Sequence, residues 1–110
     1  MEKQLRRRLE KGGWTVGDAD DFLGLSDEEI RLIETKLALA AGLRQRREKL
    51  GLTQSAFARR LGSSQSRVAK MEAADRSVSL DLLFRGLFLL GASRQEAARM
   101  MAGGTRRRTA

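Results

Sequence analysis

No proline occurs anywhere in the chain, and no stretch alternates apolar with polar side chains, so nothing in it interrupts a helix or competes with one. Runs of β-branched residues are almost absent as well. The expected fold class is therefore all-α. Apolar spacing and caps place the helices. Ser26 with Glu29 three residues on forms a capping box, and Ile30, Ile33, Leu37 and Ala41 follow at helical spacing, then Leu43, Arg47 and Leu50 before Gly51. One rod over 27–50 would be roughly 36 Å long. Gly42 is the place where it is expected to bend or break. A second helix is expected after Thr53, ending at Gly62; a third from Ser64 to Ala73; a fourth from Ser79 to Leu90; and a fifth from Ser93 to Met101, opened by a second capping box, Ser93 with Glu96.

Composition then narrows the function. With 110 residues, 41% hydrophobic and 33% charged, the chain is long enough for one domain with one modest core. It contains neither cysteine nor histidine. Thiol nucleophiles, imidazole bases, disulfides, haem ligation and Cys/His zinc sites are excluded, and no enzyme activity, cofactor or metal is expected. The carboxylates between Asp18 and Glu29 lack a calcium-loop spacing. The longest uncharged apolar run, residues 37–43, falls far short of the roughly 20 residues of a membrane span, and a soluble cytoplasmic protein is expected.

The net charge of +8 is unevenly spread: residues 1–11 carry +3, residues 13–37 carry −5, residues 43–92 carry +6 and residues 93–110 carry +4. A basic body thus follows an acidic module, and partners of opposite charge character are conceivable. The alternative is that Asp18, Asp20, Asp21, Asp27, Glu28 and Glu29 solvate a turn and complement a helix start. Arg6, Arg7 and Arg8, like Arg106, Arg107 and Arg108, are read as weak phosphate contacts or solvated ends.

Residues 53–71, TQSAFARRLGSSQSRVAKM, have what two helices joined by a tight turn need. Ala58 is small where the helices cross, and Gly62 stands where the first must end in a left-handed residue. Phe57, Leu61, Val68 and Met71 supply apolar faces. Turning the third helix at 100° per residue with Val68 inward puts Met71 and Glu72 inward, Ser66, Lys70 and Ala73 outward, and Arg67 on the flank. That outward face is polar, small and cationic, which suits the major groove of DNA. An inward carboxylate needs a partner. Arg47, on the apolar face of the first helix, is expected to pair with Glu72; otherwise both splay to solvent.

Residues 43–93 resemble the Xre/Cro family of phage-repressor-type DNA-binding domains, through RxxLGLTQ at 47–54, the Ala58/Gly62 pair, a third helix ending in Glu72, and SLDLL at 79–83. The resemblance implies a five-helix repressor-like domain that binds double-stranded DNA at a palindromic operator as a homodimer. It also implies that Gln54 contacts a phosphate while Ser64, Gln65, Ser66, Arg67 and Lys70 lie at the groove. Ser63 replaces an aliphatic residue common in the family, Ala74 replaces a glycine, and no proline precedes Ser77. Ala74 would strain its loop by about 1 kcal/mol if a left-handed residue is needed there.

The preceding stretch, with DFLGLS at 21–26 before a long helix, is similar to the amino-terminal part of HigA-like antitoxins. That resemblance implies a RelE/HigB-type toxin as partner, with Trp14, Phe22, Leu25 and Ile30 as anchors. Two alternatives remain at this stage: Trp14, Phe22, Leu23 and Leu25 are extra core, and the chain is a stand-alone repressor. The expected organisation is a flexible basic lead over 1–12, an acidic extension over 13–37 continuing into the first helix, a DNA-binding domain over 38–102, and a flexible basic tail over 103–110. The fourth helix is expected to be buried twice, with stripes Leu80/Leu83/Phe84/Leu87 and Leu82/Gly86/Leu89, and Met100 and Met101 as dimer contacts.

Overall fold

The computed structural model describes residues 25–109, with side chains as far as residue 102. Expectations for Trp14, Phe22 and the run Arg6, Arg7 and Arg8 lie outside the described residues, as do those for the side chains of Arg106, Arg107 and Arg108. The described residues form five helices: α1 (Asp27–Lys49), α2 (Gln54–Leu61), α3 (Gln65–Glu72), α4 (Leu80–Leu89) and α5 (Arg94–Thr109). This is an all-α helix-turn-helix fold. Among the described residues there is no strand, and no helix is long and apolar enough to cross a membrane.

Local chemistry accounts for where the helices begin. Ser26 caps α1 in a full capping box with Glu29, and the hydroxyls of Thr53, Ser64 and Ser79 each accept a backbone N–H in the first turn of α2, α3 and α4. Ser93 and Glu96 form the reciprocal pair that opens α5. Gly62, at φ +71°, ends α2 in the left-handed conformation that a Cβ disfavours.

α1 is the axis of the domain. Its buried stripe, Ile33, Lys36, Leu37, Leu39, Ala40, Leu43 and Arg47, meets α3, α4 and α5, while α2 packs on α3. Leu39, Leu43, Phe57, Val68, Met71, Leu83 and Leu87 are fully buried at the centre.

Three expectations about helices need correction. α1 runs unbroken through Gly42; a Cβ there would stand 2.5 Å from Met100 Sδ, so the missing side chain lets α5 approach closely instead of breaking the helix. Met100 is accordingly packed inside the protomer. α5 continues to Thr109, well past Met101, because two glycines weaken a helix without stopping one. Leu50, expected on the apolar face with Arg47, is half exposed: it caps α1, where the chain turns away.

α4 buries Leu83, Gly86 and Leu87 and packs Leu80, Leu82 and Phe84 partly against the core, whereas Leu89 of the second expected stripe is exposed. A Cβ on Gly86 would lie 3.0 Å from Met71 Cε, 3.1 Å from Phe57 Cζ and 3.3 Å from Leu43 Cδ1, so α4 sits as close to the core as backbone allows. Gly86→Val is expected to cost about 3 kcal/mol, because the three surrounding side chains have nowhere to move. Thermal unfolding should show a fall of roughly 10 °C or more; an unchanged midpoint would contradict this packing.

Candidate nucleic-acid interface

The expected reading helix starts exposed and ends buried. Ser64, Gln65, Ser66, Arg67 and Lys70 are all exposed, whereas Val68 and Met71 are fully buried and Ala73 is half-buried. Six of the residues singled out from sequence therefore share one region, since Gln54 at the start of α2 is brought against Gln65 at the start of α3. Ser64 has a structural duty as well: its hydroxyl accepts the Arg67 N–H at 3.2 Å and caps α3.

Arg47 and Glu72 meet across α1 and α3. Arg47 Nε donates to Glu72 Oε2, and Nη2 donates to Oε1 at 3.0 Å, a two-pronged contact. Only 4% of the Glu72 side chain and 11% of the Arg47 side chain remain exposed, so solvent screens the pair little. The hydrogen bond to Glu72 raises the Arg47 pKa from an already high value against the opposing effect of burial, and the guanidinium stays charged.

The pair extends in both directions. Arg47 Nη1 donates to the Leu52 carbonyl at 2.7 Å, which holds the α1–α2 turn. Gln54 Nε2 donates to Glu72 Oε1 at 3.0 Å, and Gln54 Oε1 accepts from Gln65 Nε2 at 2.6 Å. A continuous chain of hydrogen bonds thus runs from the buried ion pair to a side chain on the exposed face of α3. None of the buried side-chain nitrogens and oxygens described is without a partner.

Electrostatics single out the same two helices. α1, α4 and α5 each carry an acid in their first turn; α2 and α3 carry none. Residues 53–71 hold Arg59, Arg60, Arg67 and Lys70 with no acid among them. The first turns of α2 and α3 therefore carry no acid of their own, and the exposed Arg67 adds positive charge at the start of α3, while Arg59, Arg60 and Lys70 lie in the last turns of the two helices.

Two cations not singled out from sequence, Lys36 and Arg46, both fix loops from α1. Lys36 is buried, and its Nζ donates to the carbonyls of Asp75 at 3.0 Å and Arg76 at 3.4 Å, in the α3–α4 loop. Burial lowers its pKa, partly offset by the Asp75 carboxylate. Arg46 Nε donates to the Leu90 carbonyl at 2.9 Å, and its Nη1 lies 3.4 Å from Glu96 Oε2, tying α1 to the α4–α5 turn. The signal for Lys36 was present: it lies three residues after Ile33 and four before Ala40, on the apolar stripe, just as Arg47 does.

The α3–α4 loop has its own constraint. Ala74 sits at φ +55°, a left-handed conformation that glycine adopts more readily than an L-residue, and its methyl is buried in the core. Asp75 accepts from both the hydroxyl and the N–H of Ser77, and these bonds hold its carboxyl below the usual range.

Residues 43–85 match the family model described as Helix-turn-helix, a span from the second half of α1 into α4. Neither a curated protein nor a solved structure matches the chain.

Glu72→Ala is expected to destabilise by about 3 kcal/mol or more, because it leaves the Arg47 guanidinium buried without its carboxylate. Arg47→Met with Glu72→Leu should recover much of the loss but not all, since the Leu52 carbonyl and Gln54 then lose their partners. Denaturant unfolding of the three variants measures the coupling; strictly additive losses would contradict the pairing.

Proposed function

We propose that the chain is a transcriptional repressor that binds double-stranded DNA sequence-specifically, as a homodimer on a palindromic operator, with α3 in the major groove. The helix-turn-helix match over 43–85 supplies the family background. The observation that carries the reading is the exposed, acid-free face at the start of α2 and α3, braced from behind by the Arg47–Glu72 pair.

In this reading Ser64, Gln65, Ser66, Arg67 and Lys70 approach the DNA. Arg67 and Lys70 suit the acceptor edge of guanine, and a glutamine such as Gln65 suits the paired donor and acceptor of adenine. Gln54, at the amino end of α2, contacts a phosphate while its carbonyl orients the Gln65 amide. This double duty alters what Gln54 does for specificity: a pure phosphate contact weakens all sequences alike, but Gln54 also sets the direction of a reading side chain.

Binding-site selection checks these roles. Arg67→Ala and Lys70→Ala should each cost roughly 1 to 3 kcal/mol and relax preference at one or two operator positions. Gln54→Ala should weaken binding to every sequence and also relax the position read by Gln65. Unchanged affinity and preference in all three variants would remove α3 from the groove.

A finer reading makes the repressor the antitoxin of a type II toxin–antitoxin system, binding a RelE/HigB-type toxin. It is supported by the charge of −5 over residues 13–37 and by the start of α1, where Asp27, Glu28 and Glu29 are exposed beside half-buried Ile30 and Leu32 is 54% exposed, whereas Leu25 packs against the core. An RNA-cleaving toxin is expected to be basic, so an acidic surface steers encounter and apolar side chains hold the complex. If a small basic protein is encoded beside this one, calorimetry should show at least tenfold weaker binding to the Asp27→Lys, Glu28→Lys variant, with operator affinity unchanged. Undiminished toxin binding would move the contact away from the start of α1; no binding by the unaltered chain, or the lack of such a neighbour, leaves a stand-alone repressor.

A further inference from the structure

α4, LDLLFRGLFL, is the most apolar of the described helices; the core buries Leu83, Gly86 and Leu87 and takes Leu80, Leu82 and Phe84 in part, which leaves Phe88 and Leu89 outside it. On the opposite side, Asp81, Arg85, Phe88 and Leu89 recur at i, i+4, i+7 and i+8 and form one exposed face. Phe88 is 45% exposed and Leu89 43%. The half-buried Phe84 stacks on Phe88 with ring centroids 6.0 Å apart, so the two rings make a continuous apolar edge. Among the described residues nothing covers this face, and Asp81 and Arg85, one turn apart, make no ion pair with each other or with a neighbour.

The charge pattern says what fits. An acidic partner would set its carboxylates against Asp81, and a basic partner would set its cations against Arg85. A face with one acid and one base about 6 Å apart along a helix is instead its own complement when a copy is turned antiparallel to it. We propose that a second copy of this chain docks here, α4 against antiparallel α4 about a two-fold axis, with Asp81 of each copy facing Arg85 of the other. Phe84, Phe88 and Leu89 exclude water around the two pairs and supply the affinity, while the exposed ion pairs, weak in themselves, fix direction and register. The antiparallel arrangement also sets the helix dipoles head to tail.

This surface deepens the two-copy part of the function proposed above, and its test needs no DNA. Sedimentation velocity on the full chain should show a dimer at micromolar concentrations. Phe88→Ser should raise the dissociation constant at least about thirtyfold. Arg85→Asp, which puts carboxylate against carboxylate across the axis, should weaken the dimer at least about tenfold, and the exchange Asp81→Arg with Arg85→Asp should restore it to within about threefold of the starting value. All three positions are exposed, so circular dichroism should show the helices intact in each variant. A chain that stays monomeric at about 100 μM, where only micromolar affinity is needed, overturns the proposal, as does a dimer indifferent to Phe88→Ser. A dimer that the charge exchange fails to restore overturns the antiparallel pairing. A monomer that still selects one DNA half-site leaves the groove assignment standing, whereas a restored dimer that selects no sequence overturns that assignment alone.

Discussion

A carboxylate near the end of a helix that packs on a core must be paired or the helix will not seat, and Glu72 is in that position. Its side chain is almost fully withdrawn from water, and its two oxygens are taken by the Arg47 guanidinium and the Gln54 amide. Because Arg47 also holds the Leu52 carbonyl, one buried pair fixes the end of α1, the turn into α2 and the end of α3 together. Hydrophobic contacts through Val68 and Met71 supply much of the affinity between these helices but are tolerant of rotation; a two-pronged ion pair is not. The angle at which α3 presents its exposed side chains follows from that geometry.

Cations on carbonyls repeat the device at the periphery. Lys36 on the α3–α4 loop and Arg46 on the α4–α5 turn both reach from α1 to backbone that has no helical partner. In the first case the anchored loop contains Ala74 at φ +55°, a conformation costing an L-residue roughly 1 to 2 kcal/mol. Burial of the Ala74 methyl and the lysine clamp next to it offset that strain. The loop that follows α3 is thus held by α1, the same helix that holds α3 itself.

Helix number, the caps at Ser26, Thr53, Ser64, Ser79 and Ser93, and the inward placing of Val68 and Met71 were legible because each depends on neighbours within four residues. The Arg47–Glu72 meeting was legible for a different reason: two charges on apolar faces need each other. The same logic applied to Lys36 and was not drawn, since its partners are backbone carbonyls some 40 residues away, which carry no side-chain signature. Gly42 misled because a glycine in a helix reads locally as a weakness, whereas here it answers to Met100 on another helix. The Gln54–Gln65 bond was equally invisible, because it depends on how two helices cross.

We propose that α3, held by the buried pair, reads DNA. Amide chemical shifts of the labelled chain, followed during titration with a duplex selected from a random pool, test it most directly. The largest shifts are expected at Gln54 and from Ser64 to Lys70, with α4 and α5 little changed at a fixed dimer fraction. Shifts concentrated on α5 or the acidic start of α1, with residues 64–70 unmoved, would contradict it.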